Sequence, residues 1–206
     1  MLELFRIVYN GRMEKTVNGR TTKYPVEDMF LERHSPRAMS GKPISKDQLM
    51  TLFEAARWAP SSFNSQPWRF VYGIHGTPEF ENIFSFLVDF NKSWCVNAGA
   101  LIVTISKKTD AKGRPVDTHT FDSGAAWENL ALQALHMGLV AHGMNGFDYA
   151  MAKEKLGVPD DYQVEMMIAV GEPGKIEDLP EALRAGEKAK DRKPLESMVF
   201  EGKLIV

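Results

Sequence analysis

With only one cysteine, Cys95, among 206 residues, the chain can form neither an internal disulfide framework nor a Cys-x-x-Cys redox or zinc motif. It also lacks any run of about eighteen apolar residues, so no membrane-spanning helix is expected. Neither sign of charge dominates. A net charge of −2 and a pI near 6.2 give no global attraction to nucleic acid or to an anionic membrane, so anion binding must rest on locally placed basic residues. Neither G-x-G-x-x-G nor G-x-x-x-x-G-K-[ST] occurs, which argues against a dinucleotide fold of the Rossmann type and against a P-loop. His34, His75, His119, His136 and His142 have no metal-protease spacing, and there is no G-x-S-x-G elbow. Cys95 lies between Trp94 and Val96, which suits a buried, inert thiol. Residues 1–10 carry Glu3 and Arg6 and lack the apolar core and cleavage site of a signal peptide, so a reducing cytoplasm is the expected location.

What is present suits a protein with a sizeable core: 44% of residues are hydrophobic and 25% charged. Residues 1–24 are polar, with Asn10-Gly11 and Asn18-Gly19 as turn signals, and are expected to form an irregular N-terminal extension. Residues 25–206 are expected to form one domain, ending in a charged arm from Leu179 onward. A short helix is predicted over 26–32. Ser45 followed by Gln48 resembles a capping box, and Leu49, Leu52, Phe53 and Ala56 recur at helical spacing up to Pro60. A strand is predicted over 69–74, a helix over 78–88, a buried strand over 100–105 and a long helix over 122–141. A short helix near 151–156 and a strand over 165–170, ended by Gly171-Glu172-Pro173-Gly174, complete an α/β or α+β layered pattern.

Three polar clusters could carry chemistry. Arg33-His34-Ser35-Pro36-Arg37 puts two guanidinium groups and a hydroxyl within five residues, enough to hold a phosphate or polarise an electron-rich ring. Alone, it is more economically a solvated basic turn. Pro60-Ser61-Ser62-Phe63-Asn64-Ser65-Gln66-Pro67-Trp68 sets hydroxyls and amides between two prolines that stiffen the loop; an ordinary Asx-type turn describes it equally well. Lys188, Lys190, Arg192 and Lys193 form a basic run that by default is a solvated tail. A fourth segment, Met144-Asn145-Gly146-Phe147-Asp148, has a glycine that allows close backbone approach to a ligand or simply makes a turn.

Taken in order and spacing, these segments resemble the nitroreductase family: Arg-x-Ser-x-Arg, then Ala-Pro-Ser-Ser-x-Asn-x-Gln-Pro-Trp, then Gly-Phe-Asp, then Lys-x-Arg, over roughly Met29 to Lys193. The resemblance implies an α+β sandwich, a mostly antiparallel central sheet flanked by helices, with two chains interlocked as a homodimer around the long helix. It further implies FMN at the subunit interface. Arg33, His34, Ser35 and Arg37 would hold the flavin from one subunit, Arg33 toward the phosphate and Arg37 toward the pyrimidine edge. Pro60, Ser61, Ser62, Asn64 and Gln66 would reach it from the other. Asn91 falls where the family often has an amide beside the ring, Asn145 and Gly146 match the segment whose backbone N–H approaches flavin N5, and Lys190 and Arg192 match the pair closing over the phosphate. Many members have Pro-x-Glu-Gly where this chain has Gly143-Met144-Asn145-Gly146, so only a backbone contact at 145–146 carries over.

The implied activity is hydride transfer from NADH or NADPH through FMN to a nitroaromatic, quinone or similar small acceptor by a ping-pong mechanism. No catalytic side chain, metal, nucleic acid or membrane partner is expected. Two alternatives stay open: a flavin-fragmenting or dehalogenating relative, and a non-catalytic FMN-binding or storage module.

Overall fold

The computed structural model describes residues 15–205, and the side chain of Lys15 is outside the description. The predicted absence of a signal peptide and the Asn10-Gly11 turn lie outside the described residues. The described residues divide into two compact units, one of residues 15–34 with 189–205 and one of residues 35–188.

In the first unit, strands β1 (Lys15–Val17) and β2 (Arg20–Thr22) form an antiparallel hairpin with Val17 opposite Arg20. Its two-residue turn takes Asn18 and Gly19 to φ of 52° and 74°, the left-handed pair that matches the twist of such a hairpin. The irregular extension predicted for residues 1–24 is therefore ordered from Lys15 onward. Its strands had escaped notice because Lys-Thr-Val and Arg-Thr-Thr carry no apolar alternation. Helix α1 (Asp28–Glu32) follows within the predicted span and ends at Arg33, whose N–H still bonds back to the Met29 carbonyl.

The second unit begins with α2 (Lys46–Arg57), whose predicted capping box is present: the Gln48 N–H donates to Ser45 Oγ at 3.1 Å and the Ser45 N–H to Gln48 Oε1 at 2.9 Å. Then come β3 (Trp68–Ile74), α3 (Pro78–Ser85), α4 (Asp89–Cys95) and β4 (Ala100–Lys107). The single helix predicted over 78–88 is shorter, and α4 was not foreseen. The chain breaks at Leu87 and Val88 because both are tied to the 146–147 segment, Val88 N–H to the Gly146 carbonyl and Leu87 in a bridge with Phe147.

The long helix α5 (His119–His136) starts three residues earlier than predicted and stops five residues sooner. Gly138 at φ 70° closes a Schellman cap, donating to the Leu135 carbonyl while Leu139 donates to the Ala134 carbonyl. Residues 140 and 141, predicted as the end of the helix, instead open strand β5 (Val140–Met144). Helix α6 (Tyr149–Lys155), β6 (Tyr162–Gly171) and the short α7 (Glu181–Arg184) complete the unit.

The four strands β3-β4-β6-β5 pair antiparallel throughout, with β4 and β6 central. Alternation along β4 divides the core, since successive residues point to opposite faces. Leu101, Val103 and Ile105 pack with Phe80, Ile83, Trp94, Cys95 and Ala152 from α3, α4 and α6. Ala100 and Ile102 pack with Leu49, Leu52 and Ala56 from α2 and with Ala126, Leu130 and Ala134 from α5. The unit is thus an α+β sandwich of a sheet between helix layers, as expected. No described helix is long and apolar enough to cross a membrane.

Candidate flavin site

A chain of contacts in the second unit links Arg37 to Gly146. The Arg37 guanidinium carbon lies 5.9 Å from the centroid of the Trp94 ring, a cation–π distance. Trp94 is buried on α4 and donates its Nε1–H to Asn91 Oδ1 at 3.2 Å. Asn91, one helical turn earlier and also buried, donates Nδ2–H to the Gly146 carbonyl at 3.0 Å. With both ends of its amide engaged, Asn91 fixes the Gly146 carbonyl, and the Asn145 carbonyl, on the peptide that carries the Gly146 N–H, accepts the Phe147 N–H at 3.0 Å. Among the described residues the Gly146 N–H meets no acceptor. A Cβ on Gly146 would fall 2.4 Å from Asn91 Nδ2, so the close approach requires glycine.

Arg37 itself is held by a residue far along the chain. Glu187 is buried, and its Oε2 accepts the N–H groups of Arg37 at 2.7 Å and Ala38 at 3.0 Å, while Oε1 lies 3.6 Å from an Arg37 terminal nitrogen. Among the described residues Glu187 Oε1 and Arg37 Nε have no hydrogen-bond partner, so the pair is an ion contact and not a bidentate bond. The His142 ring on β5 lies tilted by 50° against Trp94, 4.7 Å between centroids, and bonds through Nδ1 to the Pro36 carbonyl at 3.2 Å. Burial, and then the positive charge of Arg37, pushes the His142 imidazolium down from its ordinary range, so at neutral pH the ring is uncharged.

The 60–67 loop is fastened separately. The carboxylate of Asp122, buried on α5, accepts the Ser62 N–H at 3.1 Å and the Thr118 hydroxyl at 3.0 Å, and Ser61 Oγ accepts the Gln66 N–H at 3.0 Å. Phe63, Asn64 and Gln66 take φ values of 50°, 56° and 47°, a left-handed conformation that costs a residue with a side chain about 1 to 2 kcal/mol. Asn64 and Gln66 are exposed, joined by a bond from Gln66 Nε2 to the Asn64 carbonyl, and Phe63 has its whole ring in solvent. Pro60 is exposed at the entrance to this loop.

In the first unit, Arg33, Lys190 and Arg192 meet around Arg20. The buried Arg20 guanidinium donates to the carbonyls of Leu31 at 2.8 Å, Arg33 at 2.5 Å and Lys190 at 2.9 Å. Arg192 also donates to the Lys190 carbonyl, at 3.1 Å. Burial lowers the Arg20 pKa, and the positive charges of Arg192 and Arg33 lower it further. Lys190 and Arg192 are exposed, Arg33 is half-buried, and His34 bonds locally to the Glu32 carbonyl.

The Nitroreductase family model matches residues 31–76 and 87–172. The chain belongs to the nitroreductase family. Among solved structures, the chain is similar to an FMN-containing oxidoreductase with 40% identity and a TM-score of 0.89, covering 93% of this chain and 98% of the other. It is 32% identical to the "Putative NADH dehydrogenase/NAD(P)H nitroreductase" of Archaeoglobus fulgidus over 75% of this chain and 88% of that one. A nitroreductase family protein from Clostridium difficile shares the fold, at 21% identity and a TM-score of 0.66 over 86% of this chain and 98% of that one.

The residues predicted from the sequence fall into three groups: Arg33, Lys190 and Arg192 around Arg20; Arg37, Asn91 and Gly146 along the Trp94 chain; and Ser61, Ser62, Asn64 and Gln66 on the strained loop. Ser35 and Asn145 are exposed. Asn91 differs in manner from the expectation, because its amide faces Gly146 and Trp94 inside the protein. Glu187, Trp94, Asp122 and Arg20 were missed. Only Trp94 left a trace in the sequence, three residues after Asn91 and so one turn along any helix.

Proposed function

We propose that this protein is an FMN-dependent oxidoreductase that takes hydride from NADH or NADPH and passes it to a nitroaromatic, quinone or similar small acceptor by a ping-pong mechanism. The observation that carries the reading is the Gly146 N–H, free of any acceptor among the described residues, on a residue whose carbonyl ends the chain of contacts running from the Arg37 charge. An N–H donor and a guanidinium held in place suit a heteroaromatic ring that gains negative charge when reduced. The relative that is 40% identical contains FMN, which agrees with this donor set.

FMN, when bound, supplies a hydride acceptor and donor at N5. The protein's part is position and electrostatics. Arg37 stabilises negative charge at the pyrimidine end, and Glu187 keeps its backbone from drifting. Asn91 holds the Gly146 carbonyl and so the residue whose N–H faces the ring, while Ser35 and Asn145 add polar contacts. In the first unit, Arg33, His34, Lys190 and Arg192 supply charge and hydrogen bonds for the phosphate. We further propose a homodimer in which Pro60, Ser61, Ser62, Asn64 and Gln66 serve the flavin of the other subunit. Phe63, Phe121 and Trp58 are 105%, 81% and 72% exposed, and apolar surface of that extent favours a covering partner.

The test is the absorption spectrum of the purified protein with and without added FMN, followed by anaerobic addition of NADH or NADPH. Flavin absorbance that bleaches with either donor, and returns when nitrofurazone or menadione is added, is the expected outcome. Colourless protein after FMN addition rejects the reading, and bound flavin that neither donor bleaches moves it to a storage module.

A further inference from the structure

Arg20 lies outside every motif that marks the site, yet it is 4% exposed and directs its guanidinium at three main-chain carbonyls. Two of them, those of Leu31 and Arg33, belong to the end of α1. The third, that of Lys190, belongs to a segment 170 residues away. We propose that Arg20 is a positioning residue for the phosphate end of the flavin nucleotide, a role that rests on the FMN reading above. It joins the segment carrying Arg33 to the segment carrying Lys190 and Arg192.

The physical case has two parts. First, a planar fork with several N–H donors can serve carbonyls on separate segments at once, whereas a lysine ammonium, a point charge on a flexible stem, cannot reproduce that geometry. Second, the position is electrostatically adverse. Burial lowers the Arg20 pKa, the charges of Arg192 and Arg33 lower it further, and Asp191 opposes them. Gathering the Arg33 and Arg192 charges around a buried cation is adverse, and an added anion offsets that repulsion. A phosphate monoester dianion meets that condition, and its geometry matches arginine-rich donor sets. The cluster therefore favours an anionic ligand, as expected of a site selective for the phosphorylated flavin over the unphosphorylated one.

Titrations of apoprotein with FMN and with riboflavin, followed by flavin fluorescence, test this in wild type, Arg20→Lys, Arg192→Ala and the double variant. Arg20→Lys is expected to weaken FMN binding about ten- to a hundredfold and riboflavin binding by less than about twofold. Its loss is expected to be non-additive with that of Arg192→Ala, because Arg20 acts through the segment that carries Arg192. Wild-type FMN affinity in Arg20→Lys overturns the inference, showing that charge without the fork suffices. Equal loss of both flavins, or multiplicative losses in the double variant, also overturns it, since either result marks a general structural role. Wild-type protein that binds neither flavin overturns the FMN reading itself, an outcome distinct from the others.

Discussion

Replacing Glu187 tests how Arg37 is held. The carboxylate accepts two main-chain N–H groups at 2.7 and 3.0 Å and approaches the Arg37 guanidinium at 3.6 Å, with 2% of its side chain exposed. A hydrogen bond to a charged group contributes about 1.5 to 3 kcal/mol, and removing one partner of a buried ion pair costs about 3 to 5 kcal/mol because the other stays buried without compensation. These figures overlap, since the same oxygens are counted in both, and Arg37 retains about a quarter of its side-chain exposure as an escape to water. Glu187→Ala should therefore destabilise the protein by about 3 kcal/mol. Glu187→Gln separates the two contributions. Its amide oxygen can still accept both N–H groups, and the NH2 would replace Oε1, which accepts no hydrogen bond. It should cost about 1 kcal/mol and leave Arg37 more positive, which shifts the bound flavin toward easier reduction. Urea unfolding of apoprotein reads the stability change as a shift in midpoint at constant slope, with exposed Glu201→Ala as the control. If Glu187→Ala is no more destabilising than that control, Glu187 does not hold Arg37.

Further outcomes follow from neighbouring contacts. Gly146→Ala brings a methyl group to 2.4 Å from Asn91 Nδ2 and should lower stability by about 1 to 3 kcal/mol, with partial recovery in the Gly146→Ala/Asn91→Ala pair; thermal melts of the three variants check this. His142 has a depressed folded-state pKa, so below its unfolded value of 6.5 the unfolded chain takes up the proton first. Its stabilising contribution is complete above that value and is lost as pH falls through the folded value, by at most about 1.4 kcal/mol per pH unit; urea titrations at several pH values should show a shallower acid loss for His142→Asn than for wild type. For the proposed shared site, mixing Arg37→Ala chains with Asn64→Ala chains should restore one intact site per mixed dimer. Activity no higher than that of either variant alone would sink the two-subunit assignment.

Much of the layered fold could be read from local pattern. The Ser45–Gln48 box and the apolar positions behind it fixed α2, and the unbroken apolar run from Ala100 marked a central strand. Strand β5 was hidden because Val-Ala-His-Gly-Met continues the composition of α5, and only Gly138 signals the reversal. Helix α4 was hidden because its start is imposed from outside, by the bonds of Val88 and Leu87 to the 146–147 segment. The same division runs through the site. Arg37, Asn64 and Gly146 sit in short motifs and could be named from spacing. Glu187 meets Arg37 across 150 residues, and Arg20 meets Lys190 across 170, so nothing local announces either contact.

The hairpin carrying Arg20 bears on what defines the working boundary of this protein. The stretch matching the family model begins at residue 31, after both hairpin strands have ended. A chain trimmed at its N-terminus to that residue would keep Arg33, Arg37, Asn64, Gly146, Glu187, Lys190 and Arg192 and lose the guanidinium that braces the basic segments. On the proposal above, such a chain would fold its sheet normally and still accept a flavin ring, but would no longer tell the phosphorylated flavin from its dephosphorylated form. Relatives that begin without an equivalent hairpin must brace the same segments by other means, and grafting this hairpin onto one of them is a direct way to transfer the discrimination.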